Sequence, residues 1–215
     1  MFQLDSTGFL YEYRRPMTNT KKIAAIILAG ALALLFGCHS RDEAESKSLL
    51  VDGTAFIQQG KPAEALEAFD KAVNADPGNA QALFMKGNAL SALGRREEAI
   101  GAFDKAIELT PEVPQIYYNK GNALFAMGKK EEAIAQYDIA IKKDPTYVRA
   151  YYNKGLVLSR LGRNQEAVEV FRSMKAVAPD VEPPAGFESA FASAEKGAAA
   201  QAAKAAAPPV TPAKK

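Results

Sequence analysis

The stretch MKGNALSALGRREEAIGAFDKAIELTP, at 85–111, decides the fold, because a near copy, NKGNALFAMGKKEEAIAQYDIAIKKDP, follows at 119–145. The copies lie 34 residues apart, and the same step separates four glycines and four prolines. These are Gly60, Gly94, Gly128 and Gly162, and Pro77, Pro111, Pro145 and Pro179. A unit repeated at this period cannot bury its apolar face alone and must stack on its neighbours. The spacing therefore predicts four stacked units, at 46–79, 80–113, 114–147 and 148–181.

Each unit has the residues of a helical hairpin. Its glycine suits the positive φ at which helices often end. Acidic residues follow three or four positions later, as at Glu97 and Glu98, where carboxylates favour the positive end of a second helix. The proline then ends that helix, because it lacks an N–H and disfavours helix in the residue before it. We therefore expect two antiparallel helices in every unit.

Small and large residues recur on the faces of these helices that meet. In the second unit Gly87 lies on the face of the first helix, and Phe103 lies at the middle of the second. The third unit repeats the pattern with Gly121 and Tyr137. A glycine that faces a ring allows two helices to approach closely.

The period, the glycine and proline positions and the second-helix aromatic residue resemble the tetratricopeptide repeat over 46–181. The resemblance implies an all-α, right-handed superhelical α-solenoid of about four helical hairpins. It also implies that the first helices line a concave groove that binds peptide segments. Lys86, Lys120 and Lys154 replace the leucine that is common before the glycine, and we expect their stems to lie along apolar surface with the charge in water.

On this resemblance the candidate groove residues are polar and aromatic side chains of the first helices. They are Phe84, Asn88, Tyr118, Asn119, Asn122, Tyr152 and Asn153. An asparagine amide both donates and accepts, so it can hold the main chain of an extended peptide whatever its sequence. The alternative is that these asparagines only bond one first helix to the next. The carboxylate clamp of this family needs several groove cations, and only Arg149 and Arg160 are evident, so we do not expect one.

The N-terminal region has the pattern of an export signal. Lys21 and Lys22 precede an uncharged run, IAAIILAGALALLF at 23–36, which has the length of a signal-peptide core and is shorter than a spanning helix prefers. The run ends in Leu35, Phe36 and Gly37 before the single cysteine, Cys38, and resembles the bacterial lipobox. The resemblance implies cleavage after 1–37 and a covalent lipid, such as palmitate, on Cys38. The alternative is an uncleaved anchor with Cys38 as an inert thiol.

Two short segments, 1–16 and 38–45, flank the predicted signal. Residues 1–16 do not suit a signal peptide, so we expect translation to begin at Met17. Residues 38–45 would form the lipidated N-terminus and a short polar tether, which keeps the folded part near the membrane. His39 after the cysteine resembles the outer-membrane sorting pattern, and this favours a lipid-anchored protein of the outer membrane that faces the periplasm.

The C-terminal segment departs from the 34-residue pattern. Residues 182–196 predict a linker and a capping helix, with Phe187 and Phe191 at helical spacing, because repeat arrays need shielded ends. Residues 197–215 are rich in alanine, proline and lysine, and we expect a disordered tail.

Composition limits the classes of function. Among 215 residues there are 27 basic and 25 acidic ones, and removal of 1–37, with four basic and two acidic residues, leaves the two equal. This balance argues against a nucleic-acid surface. One cysteine and one histidine exclude an internal disulfide and argue against a zinc site and a nucleophile–histidine pair in the repeats. We therefore expect no enzyme activity, no cofactor and no small-molecule substrate.

The sequence thus predicts a membrane-anchored lipoprotein of the bacterial cell envelope that acts as a protein–protein interaction scaffold. Its partners would be other proteins or peptide segments, and the membrane through its lipid. Two narrower readings stay open. One is an assembly factor for an envelope machine, such as a type IV pilus secretin or outer-membrane barrel insertion. The other is a scaffold for peptidoglycan enzymes.

Overall fold

The computed structural model describes residues 2–4, 10–12 and 41–206. The chain divides into two compact units, Met1–Ala44 and Glu45–Lys215. In the first, strands β1 (Phe2–Leu4) and β2 (Leu10–Glu12) pair antiparallel, with Phe2 opposite Glu12. The proposed start at Met17, the signal core, Cys38 and the tail beyond 206 lie outside the described residues.

The repeats form a continuous series of helices, α1 to α9 in the described residues. The first, α1, covers 41–58. The others are α2 (Pro62–Ala75), α3 (Ala80–Ala92), α4 (Arg96–Leu109), α5 (Pro114–Ala126), α6 (Lys130–Lys143), α7 (Val148–Arg160), α8 (Asn164–Val177) and α9 (Phe187–Ala206). From α2 to α9 each helix packs on the next, α3 also contacts α5, and α7 also contacts α9. The predicted all-α solenoid is confirmed over these residues.

The predicted helix ends are also confirmed. Gly94 has φ +76°, and the next residue, Arg95, donates its N–H back to the carbonyl of Leu90 at 2.9 Å. The equivalent bonds recur after Gly60, Gly128 and Gly162, so each first helix ends in the same left-handed turn. Acidic residues lie in the first turn of every second helix, and in α4 Arg95 hydrogen-bonds Glu98 and lowers the pKa of that carboxyl.

The core of each repeat is a ring pressed against a glycine. Phe103 is fully buried, and a Cβ built on Gly87 would lie 2.5 Å from its Cε1 atom. The same contact joins three further pairs: Gly53 with Phe69, Gly121 with Tyr137, and Gly155 with Phe171. Because real Cβ contacts are longer than these distances, a side chain at the glycine would push the two helices apart.

The first boundary differs from the sequence prediction. Residues 41–45, predicted to be a tether, lie within α1, so the extended tether is wrong over this segment. The segment RDEAE consists mostly of residues with good helix propensity. Ser46 is buried and accepts a hydrogen bond from Asn79 Nδ2 at 2.9 Å, which links α1 to the residue that caps α3.

The last boundary differs as well. The capping helix is present, but α9 continues to Ala206, so 197–206 is helix and not a disordered tail. Alanine has the highest helix propensity, and the run after Gly197 is mostly alanine. Gln201 Nε2 donates to the carbonyl of Gly162 at 2.6 Å, which holds the extension on the fourth repeat.

The glycine–ring contact predicts the cost of filling it. Gly87→Ala should lower the free energy of unfolding by about 1–3 kcal/mol, because the added methyl group overlaps the Phe103 ring. Gly101→Ala is the matched control, since its Cβ would enter open space in the neighbouring helix α4. It should raise stability by about 0.4–1 kcal/mol. Urea denaturation of the two variants measures both, and an equal effect would contradict the packing account.

Candidate functional site

The candidate groove begins with asparagines that successive first helices bring together. Asn119 Nδ2 on α5 donates to Asn88 Oδ1 on α3 at 2.7 Å. Asn153 Nδ2 on α7 donates to Asn122 Oδ1 on α5 at 2.8 Å. The structure therefore places both predicted pairs in contact, and each pair bonds one repeat to the next, as the alternative reading of these residues expects.

A buried tyrosine extends the second pair into a network. The Tyr137 hydroxyl, fully buried on α6, donates to Asn122 Oδ1 at 2.8 Å. Asn153 Nδ2 also donates to the Tyr118 hydroxyl at 3.1 Å. Burial raises the pKa of the Tyr137 hydroxyl well above its usual range, since the phenolate would be poorly solvated there. The neutral hydroxyl is thus fixed as a donor to the groove.

These bonds leave part of each amide free. Asn122 accepts twice through its oxygen, and within 41–206 its Nδ2 group has no hydrogen-bond partner. Asn88 Nδ2 approaches only the sulfur of Met85, at 3.8 Å. The free amide groups therefore remain able to donate to a bound main chain.

A cavity of about 350 Å³ lies between α3 and α5 and collects three of the predicted asparagines. Its lining consists of Asn88, Ser91, Arg96, Asn119, Asn122, Ala123 and Ala126. The Ser91 hydroxyl is buried there without a hydrogen-bond partner in the described residues. Arg96 is the first residue of α4 and was not among the predicted site residues. In the sequence Arg96 was recognisable only as a basic residue just after the turn at Gly94, and this position was assigned to the loop.

The predicted aromatic residues divide between two environments. Phe84 lines a second cavity, of about 460 Å³, together with apolar neighbours such as Val113 and Ile116. Tyr118 packs edge-on against Tyr147, with ring centroids 5.4 Å apart. Each ring also packs on the core ring of its own repeat, as Phe84 does on Phe103 at 6.1 Å. These aromatic side chains are therefore packed into the wall of the candidate groove, and they are not free side chains.

Tyr152 is covered by the chain itself. Its hydroxyl donates to the carbonyl of Ala185 at 3.1 Å, in the linker before α9. Phe187, the first residue of α9, lies 6.4 Å away between ring centroids and is buried against Phe171. The fourth-repeat end of the predicted groove is therefore occupied by the C-terminal segment, while the α3/α5 cavity is open.

The groove cations do not come together. Arg160 lies over the Phe125 ring, with its guanidinium carbon 4.9 Å from the ring centroid, in a cation–π contact. Among the residues that line the α3/α5 cavity, Arg96 is the one cation. A single cation among amides suits one carbonyl or carboxylate acceptor.

Sequence reasoning missed a set of ion pairs on the repeats. Lys86, Lys120 and Lys154 pair with Asp70, Asp104 and Asp138, at 2.6, 2.5 and 2.5 Å. Each pair joins the first helix of one repeat to the second helix of the repeat before it. The signal was available, because the aspartates recur at the same 34-residue step as the lysines.

The residues that the structure describes hold neither a candidate membrane span nor a candidate metal site. None of the described helices is both long enough and apolar enough to cross a membrane. Those residues also contain no cluster of three or more His, Cys, Asp or Glu that could hold a metal ion. The predicted signal core and Cys38 lie outside this part of the chain.

Comparison with known families finds four matches that together run from residue 50 to 180. Models described as tetratricopeptide repeat match 50–114, 102–135 and 148–180, and one described as TPR repeat matches 121–162. A search of curated proteins found no match.

Several solved structures have a similar fold. The MamA protein is 27% identical, with a TM-score of 0.63, over 74% of this chain and 87% of that one. The first TPR of Spaghetti (RPAP3), bound to the HSP90 peptide SRMEEVD, is 25% identical, with a TM-score of 0.54, over 55% of this chain and 94% of that one. YrrB, described as a TPR protein with an unusual peptide-binding site, is 22% identical, with a TM-score of 0.59, over 72% and 76%.

The buried hydroxyl of Tyr137 predicts a loss of stability in alkali. The unfolded chain releases this proton from about pH 10, whereas the folded chain retains it. The unfolded state then binds fewer protons, so the free energy of unfolding should fall by about 1.4 kcal/mol per pH unit above that point. Tyr137→Phe removes this contribution and should give a shallower fall. Urea denaturation across the alkaline range measures both slopes, and equal slopes would contradict the assignment.

Proposed function

The chain belongs to the tetratricopeptide repeat family, a match that points to a non-enzymatic scaffold for protein–protein interaction, and we propose that its α3/α5 cavity binds an extended segment of a partner protein. The observation that carries the proposal is the free amide capacity of Asn88 and Asn122 in an open cavity. An extended segment offers a carbonyl and an N–H at every residue, which amide groups recognise without reading side chains.

Arg96 and Ser91 add to the chemistry of this cavity. The guanidinium gives charge-assisted hydrogen bonds to a carbonyl or carboxylate oxygen. The Ser91 hydroxyl, buried without a partner in the described residues, gains a hydrogen bond when a polar group enters. The neighbouring cavity at Phe84 takes an apolar side chain of the same segment. The structure of the Spaghetti TPR with a bound peptide supports a peptide ligand in a repeat of this family.

The proposal includes a lipid anchor on Cys38. It rests on the lipobox-like sequence and the basic and apolar segments before it, and the chain would be held at the bacterial cell envelope, in the outer membrane and facing the periplasm. A lipid with several acyl chains anchors far more stably than one chain, since each buried CH₂ contributes about 0.8 kcal/mol. Assembly of an envelope machine or of peptidoglycan enzymes would be specific uses of this anchored scaffold.

The groove proposal is tested with a pair of substitutions that remove both ends of one hydrogen bond. Asn88→Ala with Asn119→Ala should keep the fold, because neither partner is left unpaired. A photo-crosslinking residue at Ser91 should capture a partner in cells, and the double variant should lose most of this capture.

The control changes two exposed residues of second helices, Glu67→Ala with Lys105→Ala, and should leave capture intact. Equal capture by the asparagine variant, or equal capture by a crosslinker placed at Lys105, would move the binding surface away from the α3/α5 cavity.

The anchor is tested by Cys38→Ser. The variant should lose acylation, measured by mass spectrometry of the N-terminal peptide, and should keep its signal segment, which increases its size on a gel. A variant that matures to the wild-type size and stays in the membrane fraction would refute lipidation. His39→Ser, in the adjacent position, serves as the control and should be acylated.

A further inference from the structure

The helix α1 exposes a face that is buried in every later first helix. In α3, α5 and α7 two positions on this face are 0–5% exposed, and each of these helices packs on the preceding second helix. These are Ala82 and Ala89, Ile116 and Ala123, and Ala150 and Val157. The residues 34 positions before the first pair are Ser48 and Ala55, and both are exposed. Val51, beside them, is 67% exposed. We call Ser48, Val51, Asp52 and Ala55 the α1 end face.

Charge reverses at both ends of the repeat array. Inside the array a lysine of each first helix pairs with an aspartate of the second helix before it, as Lys86 does with Asp70. At the start of the array the lysine position holds Asp52, which is exposed. At the end of the array the aspartate position holds Arg172. The two reversals have opposite sign, so the end residues are complementary to each other.

The helix α9 covers the surface of α8 that carries Arg172. It packs on α8, where a fifth first helix would otherwise lie, and Val168 of α8 is buried. Its Glu195 pairs with Arg172 at 3.1 Å, and its Glu188 pairs with Lys175 at 3.1 Å. Both pairs are exposed and therefore add little to the stability of this contact.

We propose that the α1 end face docks on α8 of a second copy of this chain, with Asp52 opposite Arg172, and that α9 covers this surface in the single chain. The contact between the two copies would repeat the geometry of the contact between successive repeats within one chain. Ser48 and Ala55 are as small as Ala82 and Ala89, and Val168 occupies the position of Leu66 in the first repeat. The pair of Asp52 with Arg172 would occupy the place of the pair of Lys86 with Asp70, but with the acidic residue on the first helix and the basic residue on the second helix.

The direction of the charges favours a second copy over a further repeat of the ordinary kind. An ordinary first helix would bring a lysine against Arg172, and like charges brought together at an interface cost several kcal/mol. Asp52 brings the opposite charge. Because α9 is joined to α8 by a short linker, it competes at a high effective concentration. Association is then expected only where chains are concentrated or α9 is loosened.

The test uses the full chain in detergent, with α9 loosened by Phe187→Ala and Phe191→Ala, which remove its ring contacts with Phe171. Sedimentation velocity over a concentration series should show association of this variant and little of the wild type. Adding Asp52→Lys should raise the concentration needed for association by at least about tenfold. Adding Arg172→Asp to Asp52→Lys restores an opposite-charge pair of the internal type, and association should return.

Each other outcome overturns the proposal. A loosened variant that stays monomeric shows that the α1 end face and α8 do not associate. Association that is insensitive to Asp52→Lys, or that does not return in the double charge variant, shows that exposed apolar surface of α8 associates without the ion pair. Helicity measured by circular dichroism verifies that Asp52→Lys, at an exposed position, leaves the fold unchanged.

Discussion

The contact of a glycine with a ring is the constraint on which the rest of the structure depends. Gly87 lets the backbone of α3 approach the face of Phe103, and the same approach recurs in each of the four repeats. It sets the distance between the two helices of a hairpin, and the stacking of hairpins then follows from the 34-residue period. The asparagine pairs can form only because this spacing places Asn88 of one first helix within reach of Asn119 of the next.

Much of the fold could be predicted because its determinants are local and repeated. The turn at Gly94, the acidic start of α4 and the proline after it each act within a few residues, and four copies make the pattern unmistakable. The helical state of 41–45 and of 197–206 was missed because the end helices extend beyond the 34-residue period. The helix propensity of these segments can be read from the sequence, but the contacts that hold the end helices, Asn79 with Ser46 and Gln201 with Gly162, are not encoded in the repeat pattern.

The sequence predicted which residues form most of the site, but it did not predict the hydrogen bonds that they make. Spacing placed Asn122 and Asn153 on facing helices, but it could not say that Tyr137 would donate to the same oxygen. Nor could it say that Ala185 would accept from Tyr152, because that contact depends on the path of the linker. Arg96 was missed since its side chain reaches the cavity from the second helix, whereas sequence reasoning considered only first helices.

The asymmetry of the groove has a physical origin in the cap. The linker before α9 must cross the fourth repeat to bring Phe187 against Phe171. On that path its Ala185 carbonyl accepts a hydrogen bond from the hydroxyl of Tyr152. The same covering that shields the apolar end of the array therefore removes one repeat from the proposed binding surface. The junction of α3 with α5 stays open, and it combines free amide groups, the charge of Arg96 and the hydroxyl of Ser91, which has no partner among the described residues. A ligand held there is held by its main chain and by one acceptor group, so selectivity has to come from the apolar cavity at Phe84.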